Sequence, residues 1–196
     1  MAVGQAHAAI HAAPGAKHVL ERGMYVARYD AAIAKAHGYK IITYPNGDQQ
    51  SVPINPKSGL PKGPLLVKDT VQNGKVRPDT NSDSDSVAGD CGVSWIESTQ
   101  VSTAHINVQS GFTSDTPYID FNWEFELSDE NGQSFQGNDS ASGQSGDEWY
   151  WTGDWNNLYQ YKWTSDTVQT ASSYTILDDG GVCYSAGPWV YLTGLG

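Results

Sequence analysis

Residues 118–127 constrain the fold more than any other stretch. Ile119, Phe121, Trp123, Phe125 and Leu127 fall on one face of an extended chain, and Tyr118, Asp120, Asn122, Glu124 and Glu126 fall on the other. A period of two held over this length excludes a helix and calls for a sheet with one packed and one wet face. One strand cannot bury its own apolar face, so partners must lie nearby. Val93, Trp95 and Ile96 open one. Ala104, Ile106 and Val108 alternate with His105, Asn107 and Gln109. Further extended runs lie at 133–136, 149–155, 158–163, 168–177, 182–184 and 189–192, separated by Gly, Asn, Asp and Ser. This pattern predicts a mainly β protein whose residues 87–196 form an antiparallel, disulfide-closed β-sandwich.

Cys91 and Cys183 are too far apart for a CxxC metal or redox pair. The chain around them is rich in Gly, Ser, Asn, Thr and Trp and poor in Lys. That composition favours an oxidising compartment, in which the two cysteines form one disulfide closing the β domain. Secretion is the expected localisation. The Ala-rich start has neither a charged leader nor a long apolar run, and reads as a mature secreted chain with an added Met. No 18-residue apolar stretch is present, so no membrane span is expected.

Charge divides the chain. Residues 1–80 hold ten Lys/Arg against five Asp/Glu; residues 81–196 hold one against seventeen. The acidic part would repel phosphate, which argues against nucleic acid as a partner. Residues 1–16 read as a flexible terminus. His7 and His11, four apart, could share a helix face toward a metal, but small neighbours make a plain terminus the simpler reading. Residues 17–54 read as an arm made of a helix and a β-hairpin. Val19, Leu20, Met24, Val26, Tyr29, Ile33 and Ala36 predict a helix over 18–37, firm from Met24 and ended by Gly38. Asn46-Gly47 between two extended runs predicts the hairpin. Residues 55–86 read as a Pro/Gly-rich and acidic linker, broken by one short strand made of 65–67 and 70–71. The arm either docks on its own acidic domain or folds against another secreted protein, with Tyr39, Ile41, Tyr44, Asn46 and Gly47 as contact residues.

The segments Asp90-Cys91-Gly92-Val93-Ser94-Trp95, Trp151-Thr152-Gly153-Asp154-Trp155 and Gly181-Val182-Cys183-Tyr184-Ser185-Ala186-Gly187-Pro188 resemble those of small secreted actinobacterial proteins with one disulfide and a Trp/Gly-rich β-sandwich. Most such proteins have no assigned function, and some serve as adaptors in umbrella-like extracellular toxin particles. The resemblance therefore implies a secreted adaptor or binding protein.

No catalytic constellation emerges. Glu124 and Glu126 could pose as a glycosidase pair, but both lie on the wet face of one strand with nothing to raise a pKa. Gly143-Gln144-Ser145-Gly146 falls short of a nucleophile elbow. Cys91 and Cys183 are committed to each other. A secreted hydrolase is thus the third reading. Asp83, Asp85, Asp129 to Asn131, Asp139, Asp178 and Asp179 could offer oxygens to calcium, yet none fits a calcium loop and turn chemistry accounts for them. No cofactor is expected. The aromatic strip at 149–155 is the remaining candidate. Trp149 and Trp151 fill the core or form a ligand platform; Tyr150 and Trp155 are the exposed pair that would stack on a polysaccharide. A carbohydrate or cell-wall binding module is the alternative function.

Overall fold

The computed structural model describes residues 10–11, 17–68, 71–72, 75–76, 89–102, 105–129, 134–156, 163–168 and 173–193. In chain order its elements are β1 (Ile10–His11), β2 (Lys17–Tyr29), α1 (Ala31–Ala36), β3 (Tyr39–Thr43), β4 (Gln49–Pro53), β5 (Leu65–Leu66), β6 (Val71–Gln72), β7 (Lys75–Val76), β8 (Gly92–Ser102), β9 (His105–Asp129), β10 (Ser134–Asn156), β11 (Trp163–Val168), β12 (Tyr174–Leu177), β13 (Gly181–Ser185) and β14 (Trp189–Thr193).

The alternation at 118–127 belongs to β9, a strand of 25 residues. One edge of β9 is taken by β10, from Ser128 opposite Ser134 to His105 opposite Asn156. Its other edge is shared by β8, β12 and β11 in succession. From β12 the ladder passes through β13 and β2 to β8, and β8 returns to β9. Five strands, β9, β12, β13, β2 and β8, thus close a ring. β11, β14 and β1 extend the sheet beyond it. The structure is mainly β as expected, but a closed barrel with an added sheet replaces the two stacked layers of a sandwich. Closure satisfies both edges of each ring strand, which stacked open sheets leave to short or charged strands.

The second correction concerns residues 17–29. They form β2, where a helix over 18–37 was expected. Met24 and Val26 are buried and Tyr25 between them is half-buried, a period of two. The same apolar residues also satisfy a helical template loosely. β-Branched and aromatic side chains fit the pleat, and β13 and β8 supply a ladder on both edges of β2. Helix begins only after Asp30, whose Oδ1 accepts the backbone N–H groups of Ala32 (2.9 Å) and Ile33 (3.1 Å). It ends at His37, with Gly38 at φ 87°, as the sequence predicted. The arm is therefore no appendage: its first thirteen residues are a barrel strand.

The motif around Cys91 explains how β2 is held. The register slips between Val182 and Cys183 where they face β2. There the Val26 N–H turns to Asp90 Oδ1 at 2.9 Å, and the Cys91 N–H reaches the Met24 carbonyl at 3.3 Å. Cys91 and Cys183 are bonded across this point, Cα atoms 6.5 Å apart. The bridge ties together the strands that flank β2.

The core lies inside the ring. Ile96 on β8, Ile106, Val108 and Phe112 in the first half of β9, and Phe121, Trp123, Phe125 and Leu127 in its second half are all buried. Inward residues are even before Pro117 and odd after Ile119. The register slips on both sides of β9 at this point: β10 bulges at 142–146, and β9 itself carries the extra residues opposite Gly146–Glu148 of β10 and opposite Ile176–Leu177 of β12, which marks the change of face. Tyr118, expected on the wet face, is buried by it. Trp123 donates its indole N–H to Ser110 Oγ at 3.0 Å, so the largest core side chain keeps no unpaired donor.

Two outcomes test this architecture. Replacing both cysteines (Cys91→Ala/Cys183→Ala) is expected to lower unfolding free energy by about 4 kcal/mol in denaturant titration, since the loop closed is long. Deleting residues 1–64, harmless to an appended arm, is expected to abolish cooperative unfolding and near-UV circular dichroism because it removes β2.

Candidate functional site

The predicted hairpin forms around Asn46-Gly47, with Gly47 at φ 92°. β5, at the short strand expected within the linker, joins as a third strand. Asp48 organises the tip. It is nearly buried, accepts the Asn46 amide at Oδ2 (2.7 Å) and accepts the Lys68 N–H at Oδ1 (3.0 Å). The Lys68 stem lies over Gly47, where a Cβ would meet it. Tyr44, Pro45, Asn46, Asp48, Gln50 and Leu65 line an open cleft of about 510 Å³. Tyr44 donates its hydroxyl to Gln50 Oε1 at 2.9 Å across it.

This sheet is chemically unlike the barrel. Of the seven exposed large apolar side chains among the described residues, Tyr44, Ile54, Leu60, Leu65 and Val67 belong to it and its loops. Lys40, Lys57, Lys62 and Lys68 are all exposed there, while the single acid of residues 39–68, Asp48, is turned inward. The sheet therefore exposes apolar side chains beside charge of one sign.

Its underside rests on the barrel. Ser51 Oγ donates to the Asp179 carbonyl at 2.6 Å, and Tyr29 donates its hydroxyl to the Pro64 carbonyl at 2.6 Å. The Gly63 N–H donates to the Ser51 carbonyl at 3.0 Å, and the Gln50 amide reaches the Gly63 carbonyl at 2.9 Å. A side chain at Gly63 would run into Asp179 Oδ2 and the Tyr29 hydroxyl, so only glycine lets the segment lie flat. Asp179 is fully buried. Its Oδ1 accepts the Gly181 N–H at 2.8 Å; among the described residues its Oδ2 has no hydrogen-bond partner. Burial raises its pKa, and Asp178 raises it further. Burial also raises Asp178 and Asp90. The Tyr39 hydroxyl is pushed up to about 12 by burial and then by Asp178 and Asp179.

The expected contact residues separate accordingly. Tyr44, Asn46 and Gly47 meet at the tip. Ile41 is half-buried. Tyr39 is 1% exposed and offers nothing to a partner. On the aromatic strip, Trp149 packs on Phe121 with ring centroids 4.4 Å apart and Trp151 on Phe125 at 4.4 Å, so both serve the core. Tyr150 is 54% exposed, beside Trp95. Trp155 has its backbone opposite Ile106, and its side chain lies outside the described residues. Glu124 and Glu126 are half-buried on the outer face of β9. His105 Nε2 is 2.9 Å from Asp154 Oδ1, and hydrogen bonds from His105 and Asn107 hold that carboxyl below its usual range. Of the calcium candidates, Asp83, Asp85, Glu130 and Asn131 lie outside the described residues, and Asp179 faces inward. No three His, Cys, Asp or Glu converge on a metal position among the described residues. Among them too, no helix is long and apolar enough to cross a membrane. Sequence reasoning missed Trp95 and the inward Asp179. Trp95 sits in a short apolar run, and Asp179 has the sequence setting of an ordinary turn before Gly180-Gly181.

The chain matches no protein-family model, no curated protein and no solved structure.

The buried carboxylates set a pH dependence. With Asp179, Asp178 and Asp90 raised, the folded chain binds more protons than the unfolded chain between the ordinary carboxylate pKa and the raised ones. Stability must fall as pH rises through that window and stay low above it. Asp179→Asn keeps the acceptor for Gly181 and removes the buried charge. It is expected to stabilise the protein at pH 7 by about 1–3 kcal/mol and to flatten the thermal stability profile above about pH 4.

Proposed function

We propose that this is a secreted, non-enzymatic binding protein that docks an acidic protein partner on its three-stranded sheet, β3–β4–β5. The observation that carries this reading is the segregation of exposed apolar and basic side chains onto residues 40–68 of a chain whose formal charge is −11. A surface of one charge on a scaffold of the other discriminates partners by electrostatics, and its apolar residues supply the contact area. The cleft beside Tyr44 offers a place for one anchoring side chain. The resemblance to small secreted proteins, some of them adaptors in extracellular toxin particles, points to the same role. The barrel is then the rigid support, and the docking sheet is fixed to it through Ser51, Gly63 and Tyr29.

The test compares variants that leave the scaffold alone. Lys57→Glu/Lys62→Glu and Leu65→Asp are expected to keep the wild-type melting temperature. Each should reduce capture of an acidic protein from native culture supernatant by at least about tenfold, with the wild-type interaction weakening as salt is raised. Equal capture by wild type and both variants would place the interface elsewhere.

A further inference from the structure

We infer that the outer face of β8, β9 and β10 carries a binding site for an uncharged polysaccharide, with Trp95 and Tyr150 as its stacking platform. Register places Trp95, Gly111 and Tyr150 in one row across the three strands. The two rings lie 6.1 Å apart between centroids, tilted by 39°. Gly111 lies buried between their strands, and no side chain fits there: a Cβ would run into the Trp149 carbonyl and the Tyr150 backbone. The result is an aromatic pair seated over a buried glycine, with Tyr150 the more exposed of the two rings. Tyr150, at 54%, and Val101 are the exposed large apolar side chains that the described part of the barrel carries. Burying one face of an aromatic ring against an apolar C–H face is favourable, and the rim of the ring stays wet.

The rows on either side are polar. Glu97, Gln109 and Thr152 form the next row toward the His105 end of β9; Val93, Thr113 and Glu148 form the row on the other side. Thr99, Asn107 and Asp154 follow beyond the first. Rows lie about 7 Å apart, two residues along each strand. Carboxylates accept hydrogen bonds from hydroxyls and the amides both donate and accept, so these rows suit a ligand with many hydroxyls. Asp154 is held in place by His105 at 2.9 Å and by the Asn107 amide at 3.2 Å.

Charge narrows the ligand. Among the described side chains of these rows stand Glu97, Glu148 and Asp154 and no Lys or Arg. Phosphate, sulfate and uronate groups are repelled from such a face, as are anionic lipid and nucleic acid. A ligand that presents a flat apolar C–H face ringed by hydroxyls, without negative charge, is a neutral pyranose chain. This face is separate from the basic β3–β4–β5 sheet, and one can fail without the other.

The full-length protein should be titrated with cellohexaose, chitohexaose, maltohexaose and xylohexaose, and with a heparin hexasaccharide, following Trp fluorescence and amide chemical shifts. At least one neutral hexasaccharide is expected to bind, with shifts centred on Trp95, Gly111 and Tyr150, and heparin is not. Tyr150→Ala should weaken binding at least about tenfold with an unchanged melting temperature, and Tyr150→Phe should keep affinity within about threefold because the ring, not the hydroxyl, does the stacking. Trp95→Leu provides a second removal of the platform. The inference is overturned if no neutral hexasaccharide binds, if heparin binds more tightly, or if affinity survives both Tyr150→Ala and Trp95→Leu.

Discussion

The pairing of β2 between β13 and β8 is the constraint on which the rest depends. Without it the ladder from β12 through β13 would end in an open edge, and β8 would have one partner instead of two. With it the ring closes and one interior is defined, into which Ile96, Ile106, Phe112 and Trp123 point. Residues early in the chain thus complete a barrel whose other strands all come after residue 91. The disulfide acts at the same place. It joins residues beside and on the two neighbours of β2, and Asp90 takes the β2 N–H that the register slip would otherwise leave unpaired. One motif, Gly89-Asp90-Cys91-Gly92, therefore does its work on a strand more than sixty residues away.

The same closure positions both surfaces. At one end of the barrel the segment Gly63–Pro64 lies flat on Asp179 and Tyr29, and the three-stranded sheet is carried outward with its lysines exposed. The contact bonds to the Asp179 main-chain carbonyl, and beneath it lies a buried carboxyl with one oxygen unmatched among the described residues. Such a group opposes folding at neutral pH, and its presence beneath the most distinctive surface of the molecule is a departure from economy of packing. On the barrel wall, the two edges of β9 bring Trp95 and Tyr150 to either side of Gly111. Strands far apart in sequence supply the two rings, so the pair exists only once both ladders have formed.

Much of the fold is legible in the chain itself. Strict alternation at 121–127 marks buried Phe121, Trp123, Phe125 and Leu127, because nothing but a half-wet strand needs that period. Asn46-Gly47 marks its hairpin, Gly38 the helix end, and Cys91 and Cys183 their bond. β2 is not legible, because Val19, Leu20, Met24, Val26 and Tyr29 fit a helical stripe and a pleat almost equally, and partners far away in sequence decide between them. Tyr118 departs from its expected face because the register slip there exchanges inside for outside. Tyr39 has the sequence setting of a contact residue at the start of an exposed hairpin, yet the hairpin packs that end against the barrel.

The sequence by itself determined that this chain is mainly β, that its two cysteines pair, and that its basic residues are segregated from its acidic ones. These follow from periodicity, cysteine count and charge, which are local or additive properties. Only the tertiary structure decided that the sheet closes into a barrel, that the basic segment is built into it, and which aromatics face outward. Closure, burial and register are relations between strands distant in sequence, and they exist only when those strands meet.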